Sequence, residues 1–140
     1  MPKSLIILIA FGLSWLIAQA IKFILFITKS KKSHSFKECA HEFLKSGGMP
    51  SGHTASFTAA TMMVGFIAGF DATIFGLAIC VLAIVVHDSV KVRYAVGEQG
   101  KILNKLIKNQ IKVIEGHTLS EVVVGAGIGL AVSIVMSLFL

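Results

Sequence analysis

The sequence predicts an all-α polytopic membrane protein, a bundle of four transmembrane helices with a short amphipathic interfacial helix. Of its 140 residues, 55% are hydrophobic and only 14% are charged, whereas soluble domains average about 25% charged residues. Four apolar stretches recur along the chain, and a helix needs about 20 largely apolar residues to cross a bilayer. We therefore expect a single membrane-embedded domain covering residues 1–140.

Charged residues mark the ends of the four stretches. These run from Ser4 past Lys22 to Ile27, from Thr54 to Phe70, from Ala72 to Val86 and from Val122 to Leu140. The first stretch also has features of a signal peptide, since Lys3 precedes an apolar run that ends in Ala18-Gln19-Ala20. Because apolar residues continue beyond that point, we interpret the first stretch as a span.

Four spans place the 22–53 and 87–121 segments on the same side of the membrane. Most of the 13 Lys and Arg residues lie in these two segments, and the positive-inside rule assigns such a face to the cytoplasm. We expect an integral protein of a bacterial-type plasma membrane whose active face is cytoplasmic. Its expected partners are membrane lipids and not nucleic acid.

Lysines recur at helical spacing between the third and fourth spans, at Lys101, Lys105, Lys108 and Lys112, with Leu103, Leu106, Ile107 and Ile114 on a different side. Two interpretations remain open. One is an amphipathic helix in the membrane interface, where lysines meet anionic headgroups. The other is a helical hairpin that packs on the protein.

Small residues are paired in the second and fourth spans, at Gly65-x3-Gly69 and Gly125-x3-Gly129. Such pairs let helix backbones approach closely. We predict packing contacts at both pairs, and a homodimer joined through these glycine faces is a further expectation.

The segment before the second span carries groups suited to an anion. Glycines surround Pro50, and Ser51-Gly52-His53 then opens a helix, whose free N–H groups favour an oxyanion. Ser51 adds a hydroxyl donor, and His53 can exchange a proton near neutral pH. The alternative is a helix cap that happens to carry a histidine.

A second cluster opens the fourth span. Glu121 follows His117 by four residues, so on a helix the carboxylate can reach the imidazole. A carboxylate bonded to one ring nitrogen fixes the tautomer and frees the other as nucleophile or base. The alternative is a helix cap built on Thr118 or Ser120. Because both histidines lie at helix starts on the same membrane face, we favour a catalytic role for them over helix capping alone.

These motifs resemble a known superfamily. Pro50-Ser51-Gly52-His53 resembles the second signature of the type 2 phosphatidic acid phosphatases and vanadium haloperoxidases, and His117-x3-Glu121 resembles the histidine half of their third, with Glu in place of Asp. Two longer strings resemble the compact divergent branch of this superfamily, which consists of small integral-membrane proteins. They are Ser46-Gly47-Gly48-Met49-Pro50-Ser51 and Asp88-x4-Arg93-x3-Gly97-x-Gln99 followed by Asn104. The similarity covers residues 19–130.

The resemblance implies a phosphatase that acts on a lipid phosphate or pyrophosphate through a phosphohistidine intermediate, with no metal and no cofactor. It implies that His117 attacks phosphorus, that Glu121 orients His117, and that His53 protonates the leaving alkoxide. Ser51 and the Gly52 amide would bind phosphate oxygens.

The chain departs from the family pattern in its cations. The usual first signature, Lys-x6-Arg-Pro, is missing because the prolines are Pro2 and Pro50, and Ile111 stands where an Arg is usual. We expect Arg93, Lys22 and Lys91 to bind phosphate instead. Asp88 is expected to give structural support by pairing with Arg93 or Lys22. The alternative function is a non-catalytic membrane protein that binds anionic lipid or acts as a scaffold.

Overall fold

The structure is a computed structural model that describes residues 1–29, 48–107, 111, 113 and 116–140. Within these residues the chain is helical, which confirms the predicted all-α class. The elements in order are α1 (Lys3–Lys29), α2 (Gly52–Ala68), α3 (Thr73–His87), a π-helical turn (Asp88–Val92), α4 (Arg93–Leu106) and α5 (Leu119–Ser137).

Three helical segments are long and apolar enough to cross a membrane: Lys3–Thr28, Thr73–Leu106 and Leu119–Ser137. The remaining predicted span is α2, which has 17 residues and is about 26 Å long at 1.5 Å per residue. It lies at the centre of the fold, where α1, α3 and α5 pack around it. Because other helices cover its faces, α2 does not need the apolar surface that lipid demands of its neighbours.

Small and hydroxyl-bearing side chains line the central helix. Ala55 and Ala59 are fully buried, as are the larger Met63 and Thr54. The Ser56 hydroxyl donates to the Gly52 carbonyl at 3.0 Å, whereas the buried Thr58 hydroxyl has no hydrogen-bond partner among the described residues. An unsatisfied polar group in an apolar interior is costly, so bonds like that of Ser56 help a partly polar helix to occupy the core.

The glycine pair of the fourth span packs α5 against α2. A Cβ at Gly125 would lie 2.5 Å from the Ser51 carbonyl oxygen, and one at Gly129 would overlap the carbonyl oxygen of Ala55. The predicted packing contact is confirmed there. Because both glycines contact α2 within one chain, a homodimer would have to use another face.

The glycine pair of the second span acts differently. Gly65 faces the rings of Phe70 and Phe75. Gly69 ends α2 in a conformation with φ 100°, from which its N–H donates to the Gly65 carbonyl. The prediction of a helix–helix packing face was wrong for Gly69, because the residue serves as a C-cap for which a positive φ favours glycine.

Only the first part of the predicted amphipathic helix is confirmed. It belongs to α4, which begins earlier, at Arg93, and ends at Leu106, where the backbone of Ile107 is extended. The span that starts at Thr73 continues through the π-helical turn to Leu106. Lys101 and Lys105 are exposed on α4. The other two lysines of the series, Lys108 and Lys112, lie outside the described residues, as do Ile114, Ser46 and Gly47.

Two backbone hydrogen bonds join the segments that the predicted topology places on one membrane face. The Ser51 N–H donates to the Glu121 carbonyl at 3.1 Å, and the His117 N–H donates to the Ser89 carbonyl at 3.1 Å. The start of α2, the end of the third span and the start of α5 therefore meet at one end of the bundle.

The contrast between Gly129 and Gly127 gives a matched test of the α2–α5 contact. Gly129→Ala should lower the thermal unfolding midpoint in detergent, because overpacking costs roughly 1–3 kcal/mol. Gly127→Ala should leave it unchanged or raise it, since nothing lies within 4 Å of a Cβ there and alanine favours helix by about 1 kcal/mol. Equal midpoints for the two variants would contradict this packing.

Candidate active site

His117 is held by the first turn of α5. Thr118 is the N-cap, whose side chain accepts from the Glu121 N–H at 3.4 Å, while Glu121 Oε2 accepts from the Thr118 N–H at 3.1 Å. This reciprocal pair is a capping box. The same carboxylate oxygen lies 3.0 Å from His117 Nδ1. Capping and histidine orientation, which the sequence left as alternatives, are therefore combined in one carboxylate.

The hydrogen bond to Glu121 sets the chemistry of the His117 ring. An ionised carboxylate only accepts, so a bond to it requires the proton on Nδ1, and in the neutral ring that tautomer leaves the lone pair on Nε2. The His117 residue is only 4% exposed, which limits its rotation. The arrangement is suited to a nucleophile or base that acts through Nε2.

The π-helical turn brings Asp88 and Arg93 together. Arg93 Nε donates to Asp88 Oδ2 at 2.7 Å, and the Arg93 N–H bonds to the Asp88 carbonyl. In an α-helix the side chains that meet are three and four residues apart, so this five-residue spacing depends on the π-helical turn. The two side chains are 48% and 40% exposed; such a pair contributes little stability but fixes the direction of the guanidinium.

Ser51 is the N-cap of α2. Its Oγ accepts from the Thr54 N–H at 3.4 Å and from the Thr54 hydroxyl at 3.0 Å, and the residue is fully buried. Gly52 is also buried, and a Cβ added to it would lie 3.3 Å from Cδ1 of the Trp15 indole ring. The capping interpretation holds for Ser51, and its contact with a phosphate oxygen stays a prediction.

His53 stands in the first turn of α2, at the membrane face and ahead of the apolar part of that helix. Burial lowers the pKa of His53, and the neighbouring Arg93, His117 and Lys22 lower it further, against the opposite effect of Asp88. The hydrogen bond from the Ser51 N–H to the Glu121 carbonyl puts both imidazoles at the same end of the bundle. Arg93 and Lys22, two of the three predicted cations, lie near His53 there.

Lys22 and Lys91 differ in their positions. Lys22 is 8% exposed near the end of α1, where a charge in a span needs a polar surrounding. Lys91 is exposed on the π-helical turn and is not among the charges that shift the pKa of His53. Lys22 therefore acts on His53, whereas Lys91 is not among the residues that do.

Sequence reasoning missed the residues that align the π-helical turn with α5. Ser89 accepts the His117 N–H, and a Cβ on Gly116 would overlap the backbone of Arg93 and Tyr94. Glycine at this position lets the chain pass directly against the helix before it reaches His117. The five-residue spacing from Asp88 to Arg93 was the signal that could have indicated a π-helical turn.

A cavity of ≈ 130 Å³ with a mixed polar and apolar lining adjoins the Glu121 carboxylate. It is lined by Gly48, Tyr94, Gly97, Glu98, Lys101, Gly116, Thr118 and Glu121. Neither His53 nor His117 lines it. In the part of the chain that the structure describes, no three His, Cys, Asp or Glu side chains are grouped as metal ligands.

Comparisons with known proteins support the resemblance. A family model described as "Divergent PAP2 family" matches residues 4–132, a range that includes both histidine clusters. The chain is also similar to "Uncharacterized membrane protein YuiD" of Bacillus subtilis (strain 168), at 28% identity, with 66% of this chain and 72% of that protein covered. No solved structure matches the chain.

The charges around His53 lead to a titration experiment. Arg93→Gln should raise the pKa of His53 toward its ordinary value, because the variant removes a nearby positive charge and leaves Asp88 unpaired. Histidine-labelled protein in nanodiscs, titrated by NMR, would report the shift. Lys91→Gln is the matched control and should leave the His53 titration unchanged; equal titration curves in all three proteins would contradict the arrangement.

Proposed function

The chain belongs to the divergent PAP2 family, and on that premise we propose that it is a metal-independent phosphatase acting on a lipid phosphate or pyrophosphate. The observation that carries the proposal is the Glu121 carboxylate 3.0 Å from His117 Nδ1, which orients the proposed nucleophile. The effect of Arg93 and Lys22 on His53 supports it. In the proposal a nucleophile, a proton donor and two cations act together at one membrane face, and the basic loops favour the cytoplasmic side for that face.

His117 acts as the nucleophile in the proposed reaction. With its Nδ1 proton held by Glu121, Nε2 attacks phosphorus, a nitrogen–phosphorus bond forms, and the bond from phosphorus to the leaving oxygen breaks. Water then attacks the phosphohistidine, and inorganic phosphate leaves as Nε2 is regenerated. Glu121 stabilises the positive charge that the ring carries in the intermediate.

His53 supplies and recovers the proton. Its lowered pKa in the free protein favours the neutral ring, but a bound phosphate dianion is an opposite charge that raises the pKa of His53 again. Substrate binding thereby favours the protonated form, which donates its proton to the leaving alkoxide. The neutral ring then takes a proton from the attacking water.

Arg93 and Lys22 neutralise charge on the transferring group. The contact with Asp88 uses Arg93 Nε, and a guanidinium has five N–H donors, so its terminal N–H groups can contact phosphate oxygens in the bidentate manner typical of arginine. Lys22 adds a second positive charge. The α2 N-terminus contributes backbone N–H groups and the positive end of its dipole. Preorganised groups of this kind supply transition-state stabilisation without a metal.

An apolar groove between α1 and α5 favours a lipid substrate over a soluble sugar phosphate. The groove has a volume of ≈ 320 Å³ and is lined by Leu13, Ile17, Ile128, Ala131, Val132, Val135 and Met136. On α1 it begins about 8 Å from Lys22, and on α5 about 10 Å from Glu121, at 1.5 Å per residue. It starts at a similar depth on both helices, where the tail of a phosphate-anchored lipid would lie.

Phosphate release by purified protein tests the reaction. In the presence of EDTA, wild type should release phosphate from a panel of phosphatidyl and polyprenyl phosphates, and His117→Ala should lower kcat by at least about 10³-fold because the nucleophile is lost. His87→Ala is the control, since His87 is exposed and has no proposed role. If wild type and His117→Ala are equally inert across the panel, the protein is a non-catalytic binder of anionic lipid.

The proposed role of His53 makes its loss dependent on the leaving group. His53→Ala should lower kcat roughly 10²–10⁴-fold for an alkyl phosphate, where the alkoxide needs a proton. The loss should be much smaller for p-nitrophenyl phosphate, whose phenolate leaves without one. Equal losses for both substrates would remove His53 as the general acid.

Filling the groove should change selectivity for tail length. Ala131→Trp should raise KM for long-chain lipid phosphates and leave short-chain dioctanoyl substrate nearly unaffected, because the indole would occupy space that a long tail needs. Leu130→Trp is the control, since Leu130 is an exposed neighbour on α5 that does not line the groove. No difference between the two variants would show that the tail lies elsewhere.

A further inference from the structure

Asn104 joins α4 to the chain that leads into α5. Its Nδ2 donates to the Ile111 carbonyl at 2.9 Å, and its Oδ1 accepts from the Ile111 N–H at 2.8 Å. One side-chain amide thus satisfies both backbone groups of a single residue. Because the two bonds act together, they fix the position and the orientation of Ile111 relative to α4.

Two close contacts continue the docking beyond Asn104. A Cβ on Gly100 would lie 2.9 Å from Val113 Cγ2, and a Cβ on Gly116 would overlap the Tyr94 backbone. The contacts pair Asn104 with Ile111, Gly100 with Val113 and Tyr94 with Gly116. The chain that leads into α5 therefore runs antiparallel to α4 at these positions. Glycines on both partners therefore allow that chain to approach α4 closely.

Two sets of hydrogen bonds fix the described ends of the chain that leads into α5. Ile111 is bonded to Asn104, and His117 is bonded to Ser89 through its N–H. Loss of the Asn104 amide would leave Ile111 without its bonds to α4, so the chain that leads to the His117 ring would be held less firmly.

We propose that Asn104 is a positioning residue for His117: by bonding Ile111 it sets the register, against α4, of the chain that presents the imidazole to phosphorus. The catalytic part of this inference rests on the proposed phosphatase function, whereas the docking itself does not. The amide does not touch substrate. Its effect would arise because a nucleophile displaced by about 1 Å can lose roughly 10²-fold in rate.

A cysteine pair tests the docking without reference to activity. The built Cβ of Gly100 lies 3.5 Å from Val113 Cβ, a separation that a disulfide accepts. In a Cys39→Ser, Cys80→Ser background, Gly100→Cys with Val113→Cys should oxidise rapidly within one chain in native membranes, as judged by loss of free thiols without a dimer band. Adding Asn104→Ala should slow the oxidation several-fold, and adding Gln99→Ala, which removes an exposed amide from the same helix, should not.

Kinetics test the consequence for His117. Asn104→Ala should lower kcat roughly 10²-fold with KM little changed, since substrate contacts stay in place and only the transition state loses stabilisation. Radiolabelled phosphohistidine should form more slowly by the same factor. Asn104→Asp keeps the acceptor and loses the donor to Ile111, so its kcat should fall between those of wild type and Asn104→Ala. Thermal unfolding would establish that each variant is folded.

Oxidation at the same rate with and without Asn104 would overturn the docking, and an unchanged kcat in a folded Asn104→Ala variant would overturn the positioning role. If wild type releases no phosphate while the crosslink still depends on Asn104, the docking stands and the proposed function fails. If Asn104→Ala raises KM and leaves kcat unchanged, Asn104 acts on substrate binding and the inference is wrong.

Discussion

The hydrogen bond from the Ser51 N–H to the Glu121 carbonyl, 3.1 Å long, joins two parts of the chain on which the rest of the site depends. It connects the start of α2 to the first turn of α5, the two helix starts that carry the histidines. Glycine at positions 125 and 129 makes this contact possible, because any side chain there would meet the backbone of α2. In a membrane, where burial of apolar surface does not drive helix association, such close packing and hydrogen bonding hold helices together.

Several groups of the site serve the fold and the proposed chemistry at once. Glu121 caps α5 and accepts from His117, and Ser51 caps α2 while its N–H holds α5. A chain of 140 residues has few positions for dedicated supporting residues. Loss of such a group would therefore lower stability and activity together, so folding must be measured beside rate in each variant.

The cations around His53 come from two different helices. Lys22 is contributed by α1, and Arg93 follows the π-helical turn that pairs it with Asp88. Breaks in regular helix geometry are frequent at functional sites because they redirect side chains. Here the turn also exposes the Ser89 carbonyl to the His117 N–H, so one irregularity orients a cation and supports the proposed nucleophile.

The sequence alone determined the features that depend on neighbouring residues: the apolar spans, the helix starts near Ser51 and near Thr118 or Ser120, and the pairing of His117 with Glu121 one helical turn later. Local periodicity and capping chemistry are sufficient for these. Only the tertiary structure decided that α2 is the shielded central helix, that Gly69 ends it, that Lys91 is not among the residues that act on His53, and that Asn104 bonds Ile111. Those outcomes depend on which distant surfaces pack together and on a change of helical pitch, which no local spacing rule contains.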